Sequence, residues 1–296
     1  MNPETLEKFR VAARIASAAR EHGAARVKPG ALLREVLEGV EEEIRRLGGE
    51  PAFPAQTSRN HIAAHYCSSP EDETRYEEGD LVKLDVGVHV DGYVADTATT
   101  IDLGPARNGR LREAAEAALA AAIAKAAPGV STAEIGGAIA GAIRAHGYRP
   151  VGNLTGHGVG RWQIHCAPAI PNVPDRTRDR LKEGMVVAIE PFATDGAGSV
   201  EEQGKPEVFR LAARPKRRDG IDEGVLAAIE RIGGLPFARR SLRGLPREAI
   251  EATLGGLARA GVLVRYPPLC EEEGRRVSQA EHTVYIGPEG VEVLTR

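Results

Sequence analysis

The spacing of apolar residues near the start of the chain is that of an α-helix. Over residues 5–22 the apolar positions recur at intervals that place them on one helical face. A second helix is predicted to begin at the Lys-Pro-Gly sequence of residues 28–30 and to end at the glycine pair of residues 48–49, since proline opens helices and glycine closes them. The apolar positions of the first helix are Leu6, Phe9, Ala13 and Ala16.

A similar pattern returns later in the chain. A helix is predicted over residues 111–127, and the segments PGALLREVLEGVEEEIRRLGGEP and PGVSTAEIGGAIAGAIRAHGYRP then match without a gap at an offset of 99 residues. Shared terminators at both ends favour a duplicated half over a chance likeness between two amphipathic helices. The matching pairs include Pro29/Pro128, Gly30/Gly129, Val36/Ile135, Ile44/Ile143 and Gly48/Gly147.

Stretches with the apolar character of β-strands follow each pair of helices. They cover residues 81–102 in the first half, and residues 185–193 and 277–286 in the second. This order predicts an α+β fold in which helices cover one face of an antiparallel sheet. The other face is then free to be polar and functional.

Residues 215–274 interrupt the second half before its last strand. Three short helices, over residues 221–232, 237–242 and 247–260, and a turn-rich segment resemble a winged-helix module, a type that often binds DNA. The interruption carries ten basic and nine acidic residues, so it lacks the positive charge of a nucleic-acid reader. We interpret it as an insertion that shapes a substrate site, and we expect residues 1–214 and 275–296 to form the catalytic domain.

Two aspartates break the apolar alternation of residues 82–100, VKLDVGVHVDGYVADTATT. The Asp-Gly pair at residues 91–92 is a strong signal for a two-residue hairpin turn, and this turn places Asp96 opposite Gly87. Asp85 then lies on the same face as Asp96, about 7–8 Å away at the backbone. Carboxylates held this close require a cation or solvent. For this pair alone, a solvated face is the alternative.

Three later segments add side chains that bind metals. GHGVGRWQIH contains His157 and His165, in a predicted glycine-rich loop or edge strand that lets the backbone approach a ligand. MVVAIEPF and VSQAEHTVYI place Glu190 and Glu281 inside otherwise apolar strands. Two aspartates, two glutamates and one of these histidines form an oxygen-rich set with one imidazole, which suits two divalent cations. A structural zinc site would use cysteine and histidine instead.

Composition narrows the cellular setting. A hydrophobic fraction of 42% and a charged fraction of 27% are those of an ordinary globular protein, and a net charge of -3 argues against general binding to nucleic acid or anionic membranes. The three cysteines lie far apart and form no CxxC pair, so no disulfide framework is expected. No apolar run approaches the ~20 residues of a membrane span. We expect a cytoplasmic protein.

The ordered motifs HYCS, KLDVGVHVDGYVADTATT, GHGVGRWQIH, AIEPF and QAEHTVYI resemble those of the methionine aminopeptidases with the pita-bread fold, over nearly the whole chain. The insertion, with GGLPFARRSL and YPPLCEEEG, resembles that of the type II subfamily, and the short N-terminus is similar to that of archaeal members. The resemblance implies a pita-bread fold with two pseudo-two-fold halves. It also implies an exopeptidase that removes the N-terminal methionine from nascent proteins and peptides, with preference for a small second residue.

The resemblance further implies two divalent metal ions per chain, of Co2+, Mn2+, Fe2+ or Zn2+. Asp96 and Glu281 would bridge both ions, and Glu190 would also shuttle a proton. The family places a further histidine in the pocket wall, but residues 201–211 contain none, so that position is unassigned. The implied metal ligands are Asp85, Asp96, His157, Glu190 and Glu281. The implied catalytic histidines, both in contact with substrate, are His65 and His165, and the implied pocket residues are Phe53, Ile164 and Tyr266.

By the same resemblance, the partners are the N-termini of nascent polypeptides at the ribosome, bound by a monomer with no DNA or membrane partner. Two alternatives to the methionine aminopeptidase function remain. A prolidase-like or creatinase-like hydrolase shares the five ligands, although the insertion and the segments NHIAAHY and YPPL argue against it. A non-enzymatic relative that binds protein or RNA should have lost ligands, whereas all five are present.

Overall fold

The computed structural model describes residues 1–104, 108–288 and 290–296. No helix among these residues has the length and the apolar character that crossing a membrane requires. The first half contains α1 (Pro3–Ala24), α2 (Leu33–Arg46), β1 (Glu50–Pro51), β2 (Gln56–Arg59), β3 (Ile62–Ala64), β4 (Leu81–Val90) and β5 (Tyr93–Asp102). The second half begins with α3 (Gly109–Lys125), α4 (Thr132–Ala145), β6 (Arg149–Pro150), β7 (Thr155–Gly160), β8 (Gln163–Pro171), β9 (Val186–Ile189) and β10 (Phe192–Thr194). It continues with β11 (Glu201–Glu202), β12 (Val208–Leu211), α5 (Glu223–Arg231), a 3-10 turn (Arg239–Leu242), α6 (Arg247–Arg259), β13 (Leu263–Tyr266), β14 (Leu269–Cys270), β15 (Val277–Gln279), β16 (His282–Gly287) and β17 (Gly290–Val293).

The two halves share the same turn before their second helix. Gly30 and Gly129 have φ angles of 84° and 85°, in the left-handed region that favours glycine. Each turn is held by a backbone hydrogen bond of 2.8 Å, from the Gly30 N–H to the Tyr76 carbonyl and from the Gly129 N–H to the Leu181 carbonyl. This turn occupies the Pro-Gly pair, so α2 and α4 begin later than the sequence pattern predicts. The predicted duplication is confirmed.

The strands of the described residues form five sheets. β4 pairs with β5 on one edge, and with β1 and β2 on the other. A five-stranded sheet has the order β17-β16-β9-β7-β8, and the smaller sheets are β15-β10-β6, β11-β14-β3 and β12-β13. All strand pairings in the described part of the chain are antiparallel. The antiparallel α+β architecture is therefore as predicted.

The helices cover one side of the sheets and supply a large share of the core. α1 and α2 pack on β4 and β5 through a cluster that includes Phe9, Leu84, Val86 and Val88. α3 and α4 pack on β9 and β16 in a second cluster. Leu84, Val86 and Val88 alternate with Asp85 and Gly87 along β4, and all three are fully buried. The helices thus take the apolar face of the hairpin and leave its other face to the site.

The insertion has a small core of its own. α5, the 3-10 turn and α6 contribute Val225, Leu242 and Leu257 to one cluster, which Phe209 of β12 joins. β12 pairs with β13, so a strand on each side of the three helical segments closes this unit. The predicted helices are confirmed to within a few residues, and the 3-10 turn covers only the second part of the predicted 237–242 helix. The domain boundaries at 214 and 275 stay a prediction.

Candidate active site

The β4–β5 hairpin brings the first two predicted ligands together. Its register pairs Gly87 with Asp96, as the Asp-Gly turn predicts, and Asp85 lies two residues from Gly87 on the same face. A Cβ on Gly87 would lie 2.1 Å from the ring of Phe53. Glycine between the two aspartates therefore admits the Phe53 ring to the face that carries the carboxylates.

Glu190 and Glu281 lie in gaps between consecutive strands. Glu190 separates β9 from β10, and Glu281 separates β15 from β16. At these points the chain passes between the five-stranded sheet and the β15-β10-β6 sheet. The prediction that both glutamates lie within strands is wrong, because each strand switches sheets there. Pro191 follows Glu190 and has no N–H for a continuous ladder.

His157 comes from an internal strand. β7 lies between β9 and β8, so the predicted loop or edge strand is wrong for His157, whereas His165 lies on β8, an edge strand of the same sheet. A Cβ on Gly156 would lie 2.4 Å from the Ala188 carbonyl oxygen, and a Cβ on Gly158 would lie 2.5 Å from that of Ala167. The glycines flanking His157 therefore allow close packing between strands, rather than approach of the backbone to a ligand.

Two threonine hydroxyls join β5 to the strands of the second half. The Thr283 hydroxyl accepts from the Asp96 N–H at 2.8 Å and donates to the Asp96 carbonyl at 2.7 Å. The Thr97 hydroxyl donates to the Glu281 carbonyl at 3.0 Å, and the Glu281 N–H donates to the Ala98 carbonyl at 3.1 Å. These bonds fix the backbones of Asp96 and Glu281 relative to one another.

The five predicted ligands converge in one cavity of about 690 Å³. His157 Nε2 lies 3.3 Å from Glu190 Oε1 and 3.7 Å from Asp96 Oδ2. One ligand atom from each of Asp96, His157 and Glu281 lies within 4.8 Å of the others. Those three residues are buried, whereas Asp85 and Glu190 are half-buried. The cluster is therefore enclosed by the strands and open to the cavity.

Burial raises the pKa values of all four carboxyl groups, and neighbouring carboxylates add to this for three of them. Burial and then the charge of Glu190 raise the pKa of Asp85 to about 8, and burial raises the pKa of Glu190 to about 8. Burial and the charges of neighbouring carboxylates raise the pKa values of Asp96 and Glu281 well above the usual range. Burial lowers the pKa of His157 to about 4, so its imidazole is neutral and can ligate.

This donor set fits divalent cations. The Oδ1 atoms of Asp85 and Asp96 are buried without a hydrogen-bond partner, which is costly unless a ligand satisfies them. Four carboxyls this close ionise together only if positive charge lies among them, and oxygen ligands with one imidazole suit first-row divalent ions. The cluster therefore has the chemistry of a metal centre.

The predicted substrate residues line the same cavity. The rings of His65 and Tyr266 meet edge to face at 5.8 Å, and those of His157 and His165 at 4.3 Å. Burial and then the nearby His165 lower the pKa of His65 to about 4. Enclosure by protein and then the nearby His157 lower the pKa of His165, although its side chain reaches solvent in the cavity. The pocket residues Phe53, Ile164 and Tyr266 also line the cavity.

Further residues line the cavity or contact its carboxylates without being marked in the sequence. Within the segment that lacks the family histidine, Val208 lines the cavity and is 2% exposed. The Gln279 amide donates to Glu190 Oε2 at 3.5 Å and to Glu281 Oε2 at 3.4 Å, and Gln56 lines the cavity beside His65. Valine and glutamine are ordinary strand residues, so no sequence signal marks these positions.

A carboxylate–imidazole centre in a cavity between antiparallel sheets of this fold defines a metal-dependent enzyme. The sequence model of metallopeptidase family M24 matches residues 7–229. The chain is 44% identical to a methionine aminopeptidase from Archaeoglobus fulgidus and 42% identical to one from Methanocaldococcus jannaschii, in each case over 100% of both chains. The chain therefore belongs to the methionine aminopeptidases of metallopeptidase family M24.

A solved structure supports the same fold. The crystal structure of a methionine aminopeptidase from Thermotoga maritima aligns with a TM-score of 0.73 at 24% identity, covering 100% of this chain and 98% of that chain. This likeness confirms the predicted pita-bread fold. The roles of the individual site residues rest on the geometry above and stay predictions.

Proposed function

We propose that this member of the methionine aminopeptidases removes the N-terminal methionine from nascent proteins and peptides with two divalent metal ions in the centre described above. The observation that supports the metal centre is the pair of buried, unpartnered Oδ1 atoms of Asp85 and Asp96, beside the His157 imidazole. Protein alone leaves those oxygens unsatisfied, and a cation between them removes the cost.

The five ligands divide into three groups. Asp96 and Glu281 would bridge both ions, Asp85 would complete the ligands of one ion, and His157 with Glu190 would complete those of the other. The distance of 3.3 Å between His157 Nε2 and Glu190 Oε1 supports the proposal that both bind the same ion. Divalent ions at these ligands supply a Lewis acid for a peptide carbonyl and for water.

Residues of the chain then handle protons and substrate. Glu190, open to the cavity, accepts a proton from the attacking water and returns it to the leaving amine. Water adds to the carbonyl carbon of the first residue, and the bond from that carbon to the nitrogen of the second residue breaks. His65 and His165 donate hydrogen bonds to the carbonyl oxygen and to the substrate backbone, since negative charge develops on that oxygen in the transition state.

The apolar residues in the wall of the cavity would provide the selectivity for an N-terminal methionine. Phe53, Ile164 and Tyr266 would contact the unbranched thioether side chain of methionine. The family resemblance implies a narrow space beside the scissile bond, and therefore a preference for a small second residue. It likewise supports action on nascent chains at the ribosome by a cytoplasmic monomer with no DNA or membrane partner.

Metal reconstitution tests the proposal. The protein is stripped with a chelator, its metal content is measured, and Mn2+, Co2+, Fe2+ or Zn2+ is added back singly. We expect the stripped protein to be inactive, and we expect activity on Met-Ala-Ser to return as two ions bind per chain. Ala-Pro dipeptide is the matched control, and it should stay uncleaved. Full activity of the metal-free protein, or cleavage of Ala-Pro in preference to Met-Ala-Ser, would overturn the proposal.

A further inference from the structure

Gln56 lies between the carboxylate cluster and His65. It begins β2, it pairs directly with Asp85 of β4, and it is 6% exposed. Its side chain lines the same cavity as the five ligands. A side-chain amide offers an acceptor oxygen at one end and two N–H donors at the other.

The oxygen of this amide holds the backbone of His65. The His65 N–H donates to Gln56 Oε1 at 3.0 Å, and because an N–H needs an acceptor, this bond also fixes which end of the Gln56 amide is oxygen. His65 has a φ of 67°, in the left-handed region that residues with a Cβ adopt at a cost. Gln56 therefore helps to keep His65 in a conformation that is unfavourable on its own.

The nitrogen of the Gln56 amide has no such partner. Among the hydrogen bonds of the described residues, none has this nitrogen as donor. The carboxyl group opposite, on Asp85, interacts with Asp96 and with the backbone of Val86. The two N–H donors of this amide thus have no protein acceptor among the described residues, and because the nitrogen is not one of the fully buried unpartnered atoms, it is accessible from the cavity to a bound molecule with an acceptor oxygen.

We propose that Gln56 is a substrate-contacting residue of this site: its oxygen fixes the His65 backbone, and its amide N–H donates to a peptide carbonyl oxygen in the cavity. The inference rests on the proposed peptidase function and deepens it. The ligand cluster lies on one side of Gln56 and His65 lies on the other. Since the ligands and His65 are both proposed to act on the scissile peptide, the carbonyl that this amide meets is that of the residue being removed.

A pair of variants tests this role. Gln56→Met keeps the length and burial of the side chain and removes both polar ends. Ser58→Ala is the matched control, because the Ser58 hydroxyl of the same strand accepts the Tyr66 N–H at 3.3 Å and Ser58 does not line the cavity. We expect Gln56→Met to lower kcat/KM on Met-Ala-Ser about 10- to 100-fold with unchanged metal content. Ser58→Ala should stay within about 2-fold of the wild type, even if both variants lose similar stability.

The same change in a His65→Ala background separates contact from positioning. If Gln56 acts on the substrate as well as through His65, then Gln56→Met lowers kcat/KM further in that background. No further loss would reduce Gln56 to a positioning residue and overturn the proposed contact. Should Gln56→Met fail to fold, Gln56→Asn replaces it, since its amide is too short to reach both partners, and wild-type kinetics for that variant would equally refute the inference.

Failure of the inference is distinct from failure of the proposed function. If the wild type cleaves Met-Ala-Ser with bound metal while Gln56→Met matches Ser58→Ala, only the role of Gln56 is lost. A wild type that does not cleave the peptide would remove both.

Discussion

Replacing Arg240 with methionine is expected to loosen the insertion from the wall of the active site. Arg240 lies in the 3-10 turn of the insertion and is 3% exposed, and its partner Glu41 on α2 is 2% exposed. The guanidinium donates to Glu41 Oε1 at 2.7 and 2.9 Å, to the Ala55 carbonyl at 2.7 Å and to the Ser68 carbonyl at 3.0 Å. One side chain thus joins three separate segments.

The expected loss of stability follows from the polar groups that lose their partner in the Arg240→Met variant. Without the guanidinium, the buried Glu41 carboxylate keeps only the Ala55 N–H at 3.2 Å and the exposed Arg45 guanidinium at 4.0 Å, and two carbonyl oxygens lose a donor. Removing one partner of a buried ion pair costs about 3–5 kcal/mol. For a chain of this size, that corresponds to a fall in Tm of roughly 6–20 °C.

Chemical denaturation of the chelated protein measures this difference. Arg243→Met is the matched control, because Arg243 comes from the same segment and pairs with Glu38 of the same helix at 3.1 Å, but is 48% exposed. It should cost about 1 kcal/mol or less. The double variant with Met at positions 41 and 240 should recover much of the lost stability, since an apolar pair can replace a buried ion pair.

Two results would refute this reasoning. The first is an Arg240→Met variant no less stable than Arg243→Met. The second is a double variant no more stable than the single one, which would show that the uncompensated Glu41 charge is not the cause. Because Ala55 adjoins Gln56 and Ser68 follows His65 closely, Arg240→Met should also lower kcat/KM on Met-Ala-Ser.

Four further predictions concern the site. Asp96→Ala and Glu281→Ala should lose more metal than Asp85→Ala, because each removes a bridging ligand; equal metal content by elemental analysis would contradict the bridging roles. His65→Ala should keep its metals and lower kcat far more than it raises KM, and an unchanged kcat would make His65 structural. Tyr266→Ala should reduce the preference for methionine over norleucine peptides about 10- to 200-fold, whereas unchanged selectivity with salt-sensitive RNA binding by the full chain would favour a nucleic-acid role for the insertion. Finally, the metal-free protein should lose stability as pH rises from 6.5 to 8. The carboxyl pKa values raised to about 8 favour the folded state below that pH, and the histidines are neutral in both states above 6.5. Each such carboxyl contributes about 1.4 kcal/mol per pH unit, and a Tm that rises over this range would exclude the explanation.

The spacing of apolar residues and the residue types at turns explain why much of the fold could be predicted. The Asp-Gly turn determines the register of the hairpin, and the register places Asp85 and Asp96 on one face, so local sequence was sufficient there. The repeated Pro-Gly and Gly terminators likewise marked both halves. These features depend on residues close in sequence, where backbone preferences act directly.

The features that the sequence predicts wrongly depend on contacts between segments that are distant in sequence. Glu190 and Glu281 were predicted within strands because their neighbours are apolar, yet each lies where a strand leaves one sheet for another. His157 was assigned to a loop or edge because glycines surround it, although those glycines admit neighbouring strands. Gln56 and Val208 carried no signal, since only the folded chain shows which strand residues face the cavity.

The threonine bonds between the halves have a consequence for how the protein matures. Asp96 and its partner Thr283 are 187 residues apart in sequence, so the N-terminal half alone contains neither Glu281 nor the hydroxyl that holds Asp96. Contacts of such separation form slowly and after local structure. A chain still being synthesised therefore lacks the complete ligand set, and high-affinity metal uptake becomes a marker of the finished, folded molecule rather than of its parts.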